Sequence, residues 1–160
     1  MDIDRLIKKD EVHRDVYVSE EVFGLEMDRI FGSAWIYVGH DSQIPNPGDY
    51  WTTRIGLQSV VMTRGKRDEI NIFYNRCPHK GARIAEEGCG HTNGLFRCPY
   101  HAWTFNLDGK LRGVPYLDGY QDTSFDLTDP RFSLRKVARV AAYRGCLLYT
   151  SDAADDGLSV

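Results

Sequence analysis

The sequence predicts a mainly β domain preceded by one helical segment. Apolar residues recur at helical spacing near the N-terminus, and the remainder breaks into short β-rich runs separated by Gly, Pro, Asn and Asp. The length of 160 residues fits one domain of ordinary size. A hydrophobic fraction of 42% and a charged fraction of 27% are typical of a globular protein.

The helical segment has a start signal and an apolar face. Ser19 is a candidate N-cap, and Glu20 and Glu21 follow it, where carboxylates favour the positive end of the helix dipole. We therefore expect a helix over about 20–33 within an N-terminal lead of residues 1–40. The apolar residues that would form its buried face are Phe23, Met27, Ile30, Phe31 and Ala34.

Short runs of β-forming residues fill the rest of the chain. The turn at 45–49 contains two prolines and a glycine, and Asp108-Gly109 is a strong two-residue hairpin signal. These runs predict strands rather than a second helical layer. The predicted strands span residues 35–40, 50–55, 59–64, 69–74, 103–107, 110–114 and 134–143.

Charge and hydropathy exclude some classes of protein. A net charge of −3 excludes a strongly basic surface that coats nucleic acid. No apolar run reaches the roughly 18–20 residues that a membrane-spanning helix needs. The N-terminus is charged and lacks the apolar core of a signal peptide, so we expect a cytoplasmic protein with no membrane partner.

Two loops combine a cysteine with a histidine. They read Cys77-Pro78-His79 and Cys98-Pro99-Tyr100-His101, with 18 residues between His79 and Cys98. A structural zinc site and a [2Fe–2S] cluster both use two thiolates and two imidazoles. Zinc-finger spacing places two cysteines together and two histidines together, which these mixed loops do not match. The mixed loops fit a two-iron centre, in which each loop supplies one ligand to each iron.

The other cysteines and histidines fit this pattern less well. Cys89 and His91 also form a Cys-x-His sequence, but only six residues separate His91 from Cys98. We interpret them as a free thiol and a surface imidazole. His13 and His40 have no partner nearby in the sequence, and we expect structural roles for them.

The two loops also resemble a known family. Residues 77–82 and 98–105 are similar to the paired loops of the Rieske non-haem iron oxygenases, and the similarity covers roughly residues 10–145. The chain resembles the N-terminal part of the large (alpha) subunit of an aromatic-ring-hydroxylating dioxygenase. The resemblance implies a Rieske-type iron–sulfur β-sandwich over residues 41–145.

The resemblance further implies a ligand set. Cys77 and Cys98 would hold one iron of a [2Fe–2S] cluster, His79 and His101 would hold the reducible iron, and Trp103 would cover the cluster. The mononuclear Fe(II) site of such oxygenases, which activates O2, would belong to a C-terminal catalytic domain absent from this sequence. No catalytic residue is therefore assigned.

The same resemblance implies partners. NAD(P)H-derived electrons would arrive from a ferredoxin or a reductase, and the full-length protein would be a homo-oligomer or an alpha/beta hetero-oligomer. Residues 76–112 carry six cationic and three anionic side chains, a balance that favours an acidic electron donor. A free-standing Rieske ferredoxin is the alternative, although such a carrier does not need the N-terminal helix. A structural zinc module is the third hypothesis.

The C-terminal residues differ in character. Residues 146–156 resemble the translation of a transposase-type sequencing adapter. We therefore expect residues 146–160 to be adapter read-through rather than native sequence. Such a peptide would have no evolved packing partner, so its deletion should not impair loading of the cluster.

Overall fold

The computed structural model describes residues 3–86 and 88–150. Its N-terminal lead contains a 3-10 turn (Ile3–Arg5), helix α1 (Asp15–Val18), helix α2 (Glu20–Glu26) and a π-helical turn (Met27–Phe31). The Ser19 side chain accepts a hydrogen bond from the backbone N–H of Val22, so Ser19 is the N-cap of α2. The helix predicted over 20–33 therefore begins where expected, but changes to π geometry at Met27 and ends at Phe31.

The buried face predicted for this helix is only partly correct. Phe23 and Ile30 are 46% and 48% exposed, and Val22 is the buried residue of α2. Phe31 is half-buried and packs against the core. A π turn carries an extra residue per turn, so the spacing after Met27 no longer follows the α-helical period on which the prediction relied.

Within the described residues, ten strands form three antiparallel sheets. Their orders are β1-β10-β9, β4-β3-β2-β5 and β6-β7-β8. Single 3-10 turns lie at Asp41–Gln43, Leu117–Tyr120 and Pro130–Phe132. The strands are β1 (Ile36–His40), β2 (Asp49–Ile55), β3 (Gln58–Arg64), β4 (Ile70–Tyr74), β5 (Cys89–His91), β6 (Leu95–Arg97), β7 (Thr104–Asn106), β8 (Leu111–Gly113), β9 (Arg139–Tyr143) and β10 (Cys146–Thr150).

The four-stranded sheet lies between the two three-stranded sheets, and its central strand β3 is buried on both faces. Val60 and Met62 point into a core shared with β1 and β10, whereas Val61 points into a core shared with β6, β7 and β8. This second core also contains Cys77, Cys98 and Trp103, so the two predicted ligand loops sit directly on packed apolar side chains. The mainly β sandwich expected from the sequence is confirmed.

The predicted strands form, with differences at one end of the chain. Of the run at 134–143, only Arg139–Tyr143 becomes a strand. The residues before this strand lie beside β4 and bond to it without forming a regular strand. The Tyr74 N–H donates to the Arg135 carbonyl at 3.0 Å, and the Val137 N–H donates to the Ile72 carbonyl at 3.2 Å. Strands β5 and β6 were not predicted, because three residues are too few to show alternation, whereas the equally short β7 and β8 were predicted from the hairpin signal Asp108-Gly109 between them.

The expectation that the tail lacks a packing partner is wrong for its first five residues. β10 is the central strand of its sheet and pairs with both β1 and β9. Leu147 and Tyr149 are 2% and 4% exposed, and they alternate with less buried neighbours as a strand requires. The remainder of the predicted tail, residues 151–160, lies outside the described residues, and its adapter origin stays a prediction.

Of the helices within residues 3–86 and 88–150, none combines the length and apolar character that crossing a bilayer requires.

Candidate metal centre

Two loops with the same backbone pattern build the site. The Cys77 loop follows β4, and the Cys98 loop connects β6 to β7. Cys77 N–H donates to the Ala82 carbonyl at 2.8 Å, and Cys98 N–H donates to the Trp103 carbonyl at 2.8 Å, five residues on in each case. A second bond closes each loop, from Gly81 N–H to the Cys77 carbonyl and from Ala102 N–H to the Cys98 carbonyl. Both cysteines are thus held at the start of equivalent tight turns.

Each turn needs a left-handed residue four positions after its cysteine. Gly81 has φ of 77° and Ala102 has φ of 55°. Glycine adopts this conformation without a steric penalty, whereas alanine pays a cost of roughly 1–2 kcal/mol. The left-handed conformation of Ala102 is therefore a source of strain in the Cys98 loop, and contacts with the surrounding structure offset it. The Cys77 loop has glycine at this position and avoids the strain.

The two thiols are buried next to each other. Cys77 is 2% exposed and Cys98 is 3% exposed, and the thiols are within hydrogen-bonding reach. The pKa of the Cys77 thiol is raised to about 11, chiefly by burial and also by the adjacent Cys98. The backbone N–H groups of His79 and Lys80 donate to its sulfur and act in the opposite direction. Such a pair suits thiolate ligands whose charge a bound metal compensates.

The two imidazoles lie on the outer side of the thiols. The ring centroids of His79 and His101 are 4.8 Å apart, with the planes tilted by 66°. His79 is half-buried and His101 is exposed. Burial lowers the pKa of His79, and the neighbouring His101 and Lys80 lower it further. A neutral imidazole is the form that binds a metal.

Aromatic side chains hold both imidazoles. The indole of Trp103 stacks on His79 at 4.8 Å with an interplanar angle of 4°, and Trp103 itself is 3% exposed. On the other side Tyr100 stacks on His101 at 3.8 Å. Trp103 in turn meets the rings of Phe125 at 5.6 Å and Phe132 at 6.2 Å. The orientation of His79 therefore depends on an aromatic cluster supplied by a distant part of the chain.

The structure does not bring the remaining cysteines and histidines to this centre. Cys89 is an exposed free thiol on β5, and His91 on the same strand bonds to Asp49 at 2.8 Å. His40 caps the 3-10 turn that follows β1. His13 lies 3.4 Å from Asp15.

Sequence reasoning missed the residue that holds the Cys77 loop in place. Asn75 is 2% exposed, and its amide bonds to the backbone of the loop at both Ile84 and Ala85. The sequence does place this polar side chain between an apolar strand and a ligand loop, and that placement was the signal that could have identified Asn75.

The four predicted side chains form two pairs, two buried thiols and two accessible imidazoles. Within residues 3–86 and 88–150, no three His, Cys, Asp or Glu side chains converge as the ligands of a single metal ion would. The contacts that are present join sulfur to sulfur and ring to ring. This donor set fits a cluster of two irons, with thiolates on one side and imidazoles on the other. Fold and site together define a small β domain with a mixed cysteine–histidine metal centre.

The family model for the Rieske [2Fe-2S] domain matches residues 34–136. The chain belongs to this family, whose cofactor is a [2Fe–2S] cluster. A similar curated protein is the toluate 1,2-dioxygenase subunit alpha of Pseudomonas putida, 42% identical over 153 residues that cover 91% of this chain and 33% of the relative. The chain thus spans about a third of the length of the relatives it matches.

Solved structures show the same likeness. Naphthalene 1,2-dioxygenase from a Rhodococcus species, bound to indole, superposes with a TM-score of 0.77 at 36% identity. The match covers 86% of this chain and 31% of that one. A quaternary ammonium Rieske monooxygenase in complex with L-carnitine also gives a TM-score of 0.77, at 35% identity, over 89% of this chain and 39% of that one.

Proposed function

We propose that Cys77 and Cys98 hold one iron of the [2Fe–2S] cluster and that His79 and His101 hold the other. The observation that carries this proposal is the pairing of the two loops, with thiol beside thiol and ring beside ring. The equivalent backbone turns support it, because they present both cysteines from the same side of the apolar core.

The bound cluster supplies reversible one-electron transfer. The residues of this chain define where that electron can enter or leave. The buried cysteine side is closed by packed apolar side chains, whereas His101 reaches the surface. Trp103 excludes water from one face of His79 by stacking on it. Electron exchange with a partner would therefore occur on the histidine side.

The chain would be the electron-transfer domain of an oxygenase that hydroxylates aromatic rings with O2 and NAD(P)H-derived electrons. The 42% identity to a toluate dioxygenase subunit supports this function. A free-standing Rieske ferredoxin is less well supported, since the similarity to that subunit covers 91% of the chain and extends beyond the 34–136 domain. The mononuclear iron, a ferredoxin or reductase donor, and assembly into a homo- or alpha/beta oligomer would belong to the whole protein.

Substitution of single cysteines tests the ligand assignment. We expect Cys77→Ser and Cys98→Ser to lose the visible absorption of the cluster and bound iron and sulfide, because serine does not supply the soft thiolate that a cluster iron needs. Cys89→Ser is the matched control and should bind as much iron as the unchanged chain, since Cys89 is exposed on β5.

The measurement is iron and acid-labile sulfide per chain after anaerobic reconstitution, together with the absorption spectrum. Two results would contradict the assignment: loss of the cluster in Cys89→Ser with retention in Cys77→Ser, or stoichiometric zinc with no sulfide in the unchanged chain.

A further inference from the structure

Two different surfaces flank the imidazoles of the centre. One is a cleft of about 930 Å³ on the side of His79, lined in part by Arg76, Lys80, Arg131 and Arg135. The other is a cavity of about 750 Å³ on the side of His101, lined by Tyr100, Tyr116 and Tyr120 among others. His79 lines both. The two sides of the centre therefore differ in chemistry, one cationic and the other aromatic.

The cleft, hereafter the basic cleft, concentrates positive charge. All four of its cationic side chains are exposed, and no acidic side chain lines it in the part of the chain that the structure describes. Arg131 is paired with Asp129 at 2.6 Å, whereas the guanidinium of Arg135 lies over the ring of Tyr74 at 5.6 Å. Three of the four charges are thus left without a carboxylate partner among the described residues. The tyrosine-lined cavity has Arg97 as its single cation there.

The cations come from different parts of the chain and line the same cleft as the Cys77 loop. Arg76 and Lys80 flank the ligand pair Cys77 and His79 in sequence, and the side chain of Arg76 lies against Gly81 of that loop. Arg135 follows the edge of β4. The sequence had indicated an excess of positive charge over residues 76–112, but could not show that Arg131 and Arg135 join it on one face.

The basic cleft also contains an apolar patch. Leu57 is 64% exposed, and Pro78, which lines the same cleft, is exposed as well. Exposed apolar side chains together with charged ones are typical of transient complexes between proteins, in which charge steers the encounter and a small dry contact positions the partners. Small anions would not require the exposed leucine.

We propose that the basic cleft is the docking surface for an acidic electron-donor protein, which would meet the centre at His79. This inference rests on the proposed function. One electron would leave the reduced metal centre of the donor and enter the cluster, with no atom transferred between the proteins. His101 lines the tyrosine-lined cavity and not the basic cleft, so the electron would leave the centre on the His101 side while the donor occupies the cleft.

Charge reversal at matched positions tests the proposal. The probe is an acidic plant-type [2Fe–2S] ferredoxin, and its Kd for the chain is measured by calorimetry at about 0.1 M and 1 M ionic strength. We expect the double variant Arg76→Glu/Arg135→Glu to raise Kd at least about tenfold at the lower ionic strength. Each substitution reverses one exposed charge of moderate effect, and the two effects add. At 1 M the Debye length falls to about 3 Å, and the difference should largely vanish.

The control is Lys66→Glu/Arg67→Glu, which changes the net charge by the same amount. Both residues are exposed in the turn between β3 and β4, at the end of β4 opposite the Cys77 loop. We expect its Kd to stay within about threefold of the unchanged chain, because it leaves the basic cleft intact. Equal weakening by both double variants would overturn the proposal, as it would show a response to net charge alone.

A third variant separates the two surfaces. Arg97→Glu alters the tyrosine-lined cavity, so a loss of affinity confined to this variant would place the donor there and overturn the proposal.

Calorimetry does not need the cluster, and each variant is measured with and without reconstitution. A chain that never binds iron and sulfide would therefore refute the proposed function, while the binding comparison still decides the docking surface.

Discussion

Asn75 links β4 to the Cys77 loop through one buried amide. Its Oδ1 accepts from the backbone N–H groups of Ile84 at 2.9 Å and Ala85 at 3.0 Å. Its Nδ2 donates to the Ala85 carbonyl at 2.9 Å and to Ser59 Oγ at 3.3 Å. A single side chain thus satisfies three backbone groups that are otherwise buried without partners, and it fixes the far end of the ligand loop.

Replacement of Asn75 by alanine should loosen that loop. We expect Asn75→Ala to lower the free energy of unfolding by about 2–5 kcal/mol, because each buried group left unsatisfied costs about 1–3 kcal/mol. Urea unfolding measures the loss, and the iron content should fall with it. Ser59→Ala is the control: it removes the long 3.3 Å bond alone and should cost less than about 1 kcal/mol. Equal stability of the two variants would contradict this role for Asn75.

The residue scale also shows why the ligands were easier to predict than their supports. Cys77, His79, Cys98 and His101 carry distinctive chemistry at short spacing, so the sequence alone singled them out. Trp103 was expected at the centre, but its contacts with Phe125 and Phe132 join segments more than twenty residues apart. Periodicity and spacing report on neighbours in sequence, and such long-range contacts leave no local pattern.

At the scale of elements, strand β5 is held to β2 partly by one hydrogen bond between side chains. Asp49 and His91 face each other across the two strands, and Asp49 Oδ1 lies 2.8 Å from His91 Nδ1. The backbone N–H and side-chain amide of Asn46 also donate to Asp49. The hydrogen bond to His91 lowers the pKa of Asp49 most, and the bonds from Asn46 lower it further, against an opposing effect of burial.

This lowered pKa gives a pH dependence of defined sign. A carboxylate whose pKa is depressed in the folded state stabilises the fold above its unfolded pKa of about 3.9, and that contribution is lost as the pH falls through the folded value. We expect Asp49→Asn to melt about 2–4 °C lower than the unchanged chain at pH 7. The difference should shrink below about pH 4, as followed by circular dichroism.

The exposed carboxylate of Asp118 provides a control for this measurement. Asp118 lies in the 3-10 turn Leu117–Tyr120, away from any strand pair. Asp118→Asn should melt close to the unchanged chain at both pH values. A melting difference for Asp49→Asn that stays constant from pH 7 to pH 3 would show that the substitution acts through packing rather than through charge.

Elements differed in how well the sequence predicted them. Strands β2, β3 and β4 have five to seven residues and strong β-forming composition, and they were located to within a residue at each end. Strand β3 is buried on both faces and shows no alternation, so its composition rather than its period identified it. The helical lead was predicted at its start, where Ser19 caps it, but its buried face was predicted only in part, because the π turn changes the spacing after Met27.

At the scale of the whole molecule, β10 joins the N-terminal and C-terminal parts of the described chain. It lies between β1 and β9, and Tyr149 Oη is 3.1 Å from Tyr74 Oη on β4. Burial, together with the bond to Tyr149, raises the pKa of Tyr74 to about 12, so the Tyr74 hydroxyl stays protonated at neutral pH. Their bond connects an outer sheet to the sheet that leads into the Cys77 loop.

The resemblance to an adapter explains why the role of β10 was not expected. The similarity of residues 146–156 to an adapter suggested a segment without evolved contacts, but a strand needs only alternating burial and a free edge on each side. Leu147 and Tyr149 supply the buried positions, while β1 and β9 supply the edges. Whether these residues are native is a separate matter from whether they pack.

Two truncations separate the strand from the residues that follow it. We expect a chain that ends at Gly145 to be insoluble or unfolded and unable to load the cluster. It loses the central strand of a sheet, and the buried side chains of Leu147 and Tyr149 alone are worth at least about 4 kcal/mol, out of a typical total stability of about 5–15 kcal/mol. A chain that ends at Thr150 keeps β10 whole and should unfold in urea close to the midpoint of the full chain.

A point substitution covers the case in which the shorter chain cannot be purified. Leu147 is 2% exposed in the core shared by β1, β3 and β10, so Leu147→Ala should cost about 2–5 kcal/mol while leaving the backbone pairing in place. Val140→Ala on the neighbouring β9, where Val140 is 46% exposed, is the control and should cost far less. If both truncated chains loaded the cluster and unfolded at the same urea concentration, β10 would not be part of the stable fold, because a buried central strand cannot be removed without exposing the apolar residues that it covers.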